Sequence, residues 1–457
     1  MTGVLERTAF PGTAARPLVG AGVPAGWAWA GWAAGHPERL LVAGAGFDPE
    51  WERAALAAAR VTGRALLSLR FTPTELLLGP LWTDAGEAGC AGCAHVAGQY
   101  HRFEKARRPE RDRAERERQG TPAAGSTAGS AFPVWLDGAV ATVLDGAWRP
   151  GDLVALGAAG TLTRHRVRAT FRCPVCAEPT GPLVVAADAV PDSAPPPAPP
   201  PTRRPTTAAV PPRAGAPVGL DPDRMRDELG DPRFGPVVRM TRNSAGAFPM
   251  SEVELLAGTP AGIGRGSRFA DAEVIGVLEA YERLGGYPHA APIVVDATRA
   301  ELGDLAIDPA GLGGYTEEQL AAPTCRIRPY HPDAPLDWVW ARPLLGGAPK
   351  LVPAEVGFYR YGYDLRTPGA GRRGCFLDSS SGSALGSSFE EAALHSLLEL
   401  AERDAFLLAW HRARPLPAID PATVTDPDSG LMLALAADRG YQVHLLVATA
   451  DIDIPVV

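Results

Sequence analysis

The chain has 457 residues, 46% of them apolar, enough to bury the cores of two or three domains and too apolar for a disordered polypeptide. Its 44 Lys and Arg against 52 Asp and Glu give a net charge of -8, which argues against general affinity for nucleic acid. No segment reaches the roughly 18 consecutive apolar residues of a membrane-spanning helix, and 22–35, apolar but short and lacking a basic segment before it, is a poor secretion signal, so a cytoplasmic protein is expected.

In chain order, RLLVAGAG at 39–46 reads as a strand and a turn, like the opening of a dinucleotide-binding fold. The chain continues Phe47-Asp48-Pro49, which leaves GxGxxG incomplete, and no nucleotide is expected there. A helix over 49–61 and a strand over 65–69 would complete a small α/β unit. Next come two Cys-x-x-Cys knuckles, Cys90-Ala-Gly-Cys93 and Cys173-Pro-Val-Cys176, the pattern of a tetrahedral structural zinc site. They are far apart in sequence, so the intervening segment must loop out and return. Two unrelated thiol pairs or one disulfide would also satisfy the spacing; reduced cytosolic thiols favour zinc. His95 and His101 are alternative ligands, although four cysteines already close the shell. Cys325 and Cys375 have no partner spacing and read as core thiols. Between the knuckles, the charged run 101–120 alternates in sign and reads as a solvated helix or insertion. A proline-rich stretch over 188–217 reads as an extended spacer.

The second half carries the pentapeptide Glu-x-x-Glu-Arg twice, as Glu279, Glu282, Arg283 and as Glu399, Glu402, Arg403. On a helix, residues three apart share a face, so each copy sets two carboxylates side by side with an arginine adjacent. Ser388-Phe-Glu-Glu391 reads as a capping box that opens a helix running to about Trp410. Glu391, Glu402, His395 and Glu399 fall at about 0°, 20°, 40° and 80° on its wheel. Ala393, Leu394, Leu397, Leu400 and Ala401 lie opposite, as a face that packs. A solvated charged face is the ordinary reading of one such helix; two with the same pentapeptide point to a shared site. Magnesium takes oxygen ligands and is commonly held by a few carboxylates together with nucleotide phosphates, so paired acidic helices suit Mg-ATP. GxxxxGK[ST] is absent, and the only lysines are Lys105 and Lys350. Glycine-rich turns able to approach phosphates are expected at 262–266 and 378–388.

SSSGSALGSSFEEAALHSLLELAERDAF resembles the central signature of the YcaO family, and GIGRGSRFADAEVIGVLEAYERL resembles that family's GKG segment and first Glu-x-x-Glu-Arg helix. Trp338-Val-Trp340 and LVPAEVGFYRY sit where the family carries a strand leading to a Pro-Ala-Glu segment. The resemblance covers about 218–457. It implies that Glu279, Glu282, Glu391, Glu399 and Glu402 hold Mg-ATP, with Arg403 supporting. Arg265 replaces the lysine of GKG and Ser381 the asparagine of SSNG; arginine keeps the charge but not the geometry. The implied chemistry is ATP-dependent activation of a backbone amide. A Cys, Ser or Thr side chain of a ribosomally made precursor peptide attacks the preceding carbonyl. The oxyanion is phosphorylated, and loss of phosphate leaves a thiazoline or oxazoline. Such chemistry calls for positioning and electrostatics more than a protein nucleophile.

GPLWTDAGEAGCAGCAHVAGQYHR resembles the leader-peptide-binding components of azole-peptide biosynthesis, which contain a reduced ThiF-like domain with a tetracysteine zinc. The expected architecture is α/β and α+β: a ThiF-like zinc domain over 1–187, a linker over 188–217 and a YcaO-type mixed α/β domain over 218–457. No winged-helix peptide clamp is visible near the start, which assigns leader recognition to a separate partner, with a dehydrogenase acting later and a homodimer plausible by resemblance. The end, 447–457, resembles the middle of a YcaO domain, so the C-terminal part of that domain is expected to be missing. Two other readings stay open: a thioamide-forming YcaO enzyme, and a catalytically inactive zinc-containing scaffold.

Overall fold

The computed structural model describes residues 39–457 apart from 73–74, 85–87, 108–138, 141, 158–159, 171–172, 177–182, 186–221, 245–247, 257–259, 289–291, 360, 364–373, 378 and 387. Most of the charged run, the proline-rich spacer and the apolar stretch 22–35 lie outside the described residues. The chain divides into two compact units. The first comprises Met1–Pro179, Leu220–Arg239 and Leu255–Gly258, and the second Thr180–Gly219, Met240–Glu254 and Thr259–Val457.

The first unit is built on a five-stranded sheet of β1 (Arg39–Ala45), β2 (Ala65–Phe71), β3 (Glu75–Trp82), β4 (Asp152–Gly157) and β5 (Leu162–Arg166), in that order. β1 and β2 are parallel, which requires a crossover, and helix α1 (Pro49–Thr62) supplies it. The remaining neighbours are antiparallel. α1 starts where Asp48 accepts from the backbone N–H groups of Glu50 and Trp51, and ends at Gly63, in left-handed conformation at φ 63°. Asp48 takes up amides that a phosphate would need, in line with the incomplete glycine fingerprint. One sheet face packs Leu40, Val42 and Leu66 with Leu56 and Ala59 of α1 and with Cys90, Cys93 and Cys173; the other packs Leu67, Leu69 and Leu78 with Val140 and Leu144. Residues 220–239, with helix α3 (Pro222–Leu229), also fold into this unit. Asp231 accepts from the backbone N–H groups of Arg166, Arg233 and Phe234 and faces the His165 ring at 3.1 Å, and ion pairs join Arg233 to Glu75 and Arg168 to Glu228.

The second unit carries a four-stranded sheet of β12 (Lys350–Pro353), β11 (Leu336–Ala341), β10 (Pro292–Ala297) and β6 (Leu183–Val185), again in spatial order. Trp338, fully buried on β11, donates its indole N–H to the Ala297 carbonyl at 2.8 Å. β11 does lead to Pro-Ala-Glu: it pairs antiparallel with β12, which ends at Pro353, and a short helix, Ala354–Gly357, follows. A second sheet runs β7 (Val237–Asn243), β8 (Met250–Leu255), β9 (Gly262–Arg265). The two pentapeptide helices are α4 (Phe269–Gly285) and α5 (Phe389–Arg412). No helix among the described residues is long and apolar enough to cross a membrane.

Two sequence-based expectations fail here. Residues 262–265 form strand β9 rather than a turn, and its glycines serve helix packing. A Cβ at Gly264 would lie 1.8 Å from the Ala272 carbonyl oxygen, and one at Gly262 2.1 Å from that of Gly276, so α4 rests directly on the strand backbone. The expected packing face of α5 is only partly buried: Leu394, Leu397 and Leu400 are 41%, 49% and 46% exposed, while Ala401 and Ala405 are buried. Amphipathic spacing marks which side can pack, and a partner surface must exist for it to do so.

Candidate nucleotide and metal sites

In the second unit, the repeated pentapeptide makes the same internal contact twice. Arg283 donates to Glu279 at 2.7 Å and lies 3.5 Å from Glu282, while Arg403 reaches Glu399 at 3.6 Å, each first glutamate being four residues before its arginine. Arg283 thus compensates both carboxylates of its copy, and Arg403 the first carboxylate of its own. Glu279 also accepts from the Ile263 N–H on β9 at 2.9 Å, which ties the glycine strand to the acidic helix. Glu399 accepts from the N–H of Gly382 at 3.3 Å, and Gly382 has φ 84° with its Cα against Leu400, a conformation that favours glycine. Ser388 caps α5 by accepting from Glu391 N–H at 3.2 Å, the serine half of the expected capping box.

The two copies sense each other. Burial raises Glu282 to about 7 against the pull of Arg283, and the charges of Glu399 and Glu279 push it further in the same direction. A carboxylate desolvated among like charges is one that a divalent cation would discharge. Glu279, Glu282 and Glu399 are thus brought into one neighbourhood, whereas Glu402 and Arg403 face solvent. The carboxylates are not gathered to the spacing of a single bare ion; among the described residues, only the four paired cysteines are. Hard oxygen donors of this kind fit magnesium bound together with phosphate oxygens. Arg283, absent from the residue set that the resemblance implies, proves to hold both carboxylates of the first copy; the repeat itself was the available signal. Glu355 of the Pro-Ala-Glu segment is a further carboxylate held inside the second unit. Burial raises its carboxyl, and both its oxygens accept from the Cys375 N–H, at 3.0 and 3.1 Å.

In the first unit, the knuckles meet. Sγ of Cys90 lies 3.5 Å from Cys173 and 3.9 Å from Cys93, and Cys93 lies 3.4 Å from Cys176, with all four sulfurs within 4.8 Å of one another. Tetrahedral zinc with ~2.3 Å bonds needs sulfurs about 3.8 Å apart, so the set fits that ion. All four are free thiols, and a disulfide would need about 2.05 Å. Three elements build the site. Cys90 and Cys93 open helix α2 (Ala91–Arg107), whose N-terminal end favours thiolate. The bridge between Ala88 and Arg168 brings the two loops together. Backbone N–H groups of Thr170, Val175 and Cys176 then point at Cys93 or Cys173 at 3.3 to 3.4 Å. Gly92 is required sterically, because a Cβ there would meet the Cys173 sulfur at 2.7 Å. Neither alternative ligand joins the cluster: His95 stacks on Phe47 at 3.9 Å, and His101 bonds the Gly235 carbonyl at 3.0 Å.

Residues 263–457 match the family model described as YcaO cyclodehydratase, ATP- and Mg2+-binding. A heterocyclase solved in complex with substrate and cofactor shares the fold at a TM-score of 0.58 and 21% identity, over 91% of this chain and 58% of that one. The heterocyclase TruD does so at 0.51 and 19%, over 91% and 56%. An uncharacterized protein of Methanothermobacter thermautotrophicus is 29% identical over 189 residues, 41% of this chain and 44% of that protein. The chain therefore spans less than half of that curated relative and under two thirds of either heterocyclase. Residues 263–457 form a domain of the YcaO family.

Proposed function

We propose that the chain acts in ATP-dependent cyclodehydration of a ribosomally made precursor peptide, turning Cys, Ser or Thr residues into thiazolines or oxazolines. The observation that carries this reading is the convergence of Glu279, Glu282 and Glu399 from both pentapeptide copies, with Glu282 raised to about 7 by burial and by its acidic neighbours. When bound, Mg-ATP supplies the phosphoryl group that makes an amide oxygen a leaving group. In this proposal the glutamates bind the metal, with Glu391 and Glu402 completing the set on α5. Arg283 and Arg403 fix the carboxylate rotamers, and Arg403 supports the nucleotide. The paired cysteines, as a structural zinc site, brace the first unit, which is assigned the ThiF-like role of scaffold. Peptide partner, separate leader-binding protein, later dehydrogenase, homodimerisation and cytoplasmic location belong to the same proposal.

Product mass tests it. Incubation with ATP, magnesium and a candidate precursor peptide containing Cys, Ser or Thr should remove one water per ring, and Glu402→Ala should abolish that loss without changing zinc content. Exchange of oxygen for sulfur would identify a thioamide-forming enzyme instead. Unchanged ring formation in Glu402→Ala would reject the role of that carboxylate.

A further inference from the structure

Arg70, on β2, is 3% exposed, and its guanidinium is incompletely used. Nη1 donates to the Ala91 carbonyl at 3.2 Å, whereas Nε and Nη2 have no hydrogen-bond partner among the described residues. A buried cation with idle donors is costly and calls for a compensating charge. Ala91 lies between Cys90 and Cys93, so this bond holds the guanidinium against the first knuckle.

The neighbouring acids supply part of the compensation, Glu52 foremost. Glu75 is paired with Arg233. Glu52, 1% exposed on α1, accepts from Ser68 at 3.3 Å, and burial pushes its carboxyl up to about 7 even though the Arg70 charge lowers it. What remains is the sulfur cluster. Four thiolates around one divalent cation carry a net charge of -2 in a low-dielectric core, and Cys90 lies near enough for its charge to act on Arg70.

We propose that Arg70 is the positioning residue of the tetracysteine site: its buried charge offsets the metal tetrathiolate, and its bond to Ala91 fixes the first knuckle. This rests on the zinc reading given above. The arginine ligates nothing; it acts through the backbone between Cys90 and Cys93 and through its charge.

The test uses the full chain and zinc itself. Zinc affinity is measured by competition with a chromophoric chelator, fold by circular dichroism, and thiol exposure by the rate of alkylation under chelation. Arg70→Gln and Arg70→Met should weaken zinc at least tenfold and speed alkylation, while Arg70→Lys, which keeps the charge, should stay within about threefold of the parent. If either neutral variant unfolds, refolding only at zinc concentrations at least tenfold above the parent's requirement supports the proposal, and failure to refold at saturating zinc overturns it. Neutral variants binding zinc within twofold of the parent overturn it as well. A parent chain that binds no zinc would instead reject the metal site on which it rests.

Discussion

Glu282 concentrates the electrostatic tension of the acidic site, and its pH behaviour follows from the sign of its shift. Raised to about 7 from an ordinary value of 4.5, the carboxyl stays protonated in the folded chain where it would ionise in the unfolded one. Both states are protonated below about 4.5, so the group costs nothing there. Stability is lost as pH rises from there through 7, and the full cost is present above it. Glu282→Gln should therefore leave the melting temperature unchanged near pH 4 and raise the metal-free stability by roughly 1–3 kcal/mol at pH 8, as thermal denaturation at the two pH values would show. Equal effects at both would mean that Glu282 is not desolvated. Cys173→Ser belongs to the same scale: losing one of four sulfurs that lie within 4.8 Å of each other should lower zinc content and the melting temperature together, and normal values for both would refute the tetracysteine site.

At the scale of elements, the contact between β9 and α4 positions the first acidic copy. Ile263 holds Glu279, and the glycines beside it admit the helix backbone. Gly264→Ala must push Ala272 and Gly276 away, which should cost about 2 kcal/mol or more and weaken ATP binding; chemical denaturation measures the first effect, and a neutral result would show that the strand and helix can separate freely. α5 illustrates how far periodicity reads. Its boundaries, its Ser388 cap and its acidic side all follow from local spacing. The fate of Leu394, Leu397 and Leu400 depends on what lies opposite, which no local pattern encodes. The same division explains Gly262 and Gly264: a glycine-rich run signals close backbone approach, and only tertiary structure reveals that a helix, rather than a phosphate, makes it.

Across the whole molecule, what could be read from sequence was the chemistry that recurs at fixed spacing. Both Cys-x-x-Cys pairs and both Glu-x-x-Glu-Arg copies are visible in sequence; the structure gathers the cysteines over 83 residues and brings Glu399 of the second copy near Glu282 of the first. Chain routing was not legible. Residues 220–239 fold with the first unit and β6 pairs with β10 of the second, because β-strand partners and ion pairs such as Arg168–Glu228 are chosen by non-local complementarity. The histidines beside the first knuckle show the same limit, since composition offered them as ligands and stacking and backbone bonding engaged them elsewhere.

In the proposed function the two pentapeptide copies form one magnesium-dependent nucleotide site. Calorimetric titration of ATP into the folded, zinc-loaded chain, with and without magnesium and in parallel with Glu282→Gln and Glu399→Gln, tests it most directly. Binding should require magnesium, release a proton near pH 6.5 in the parent, and be lost in either variant, since each copy supplies a carboxylate. ATP binding with the same affinity in both variants, or no binding to the parent, would contradict it.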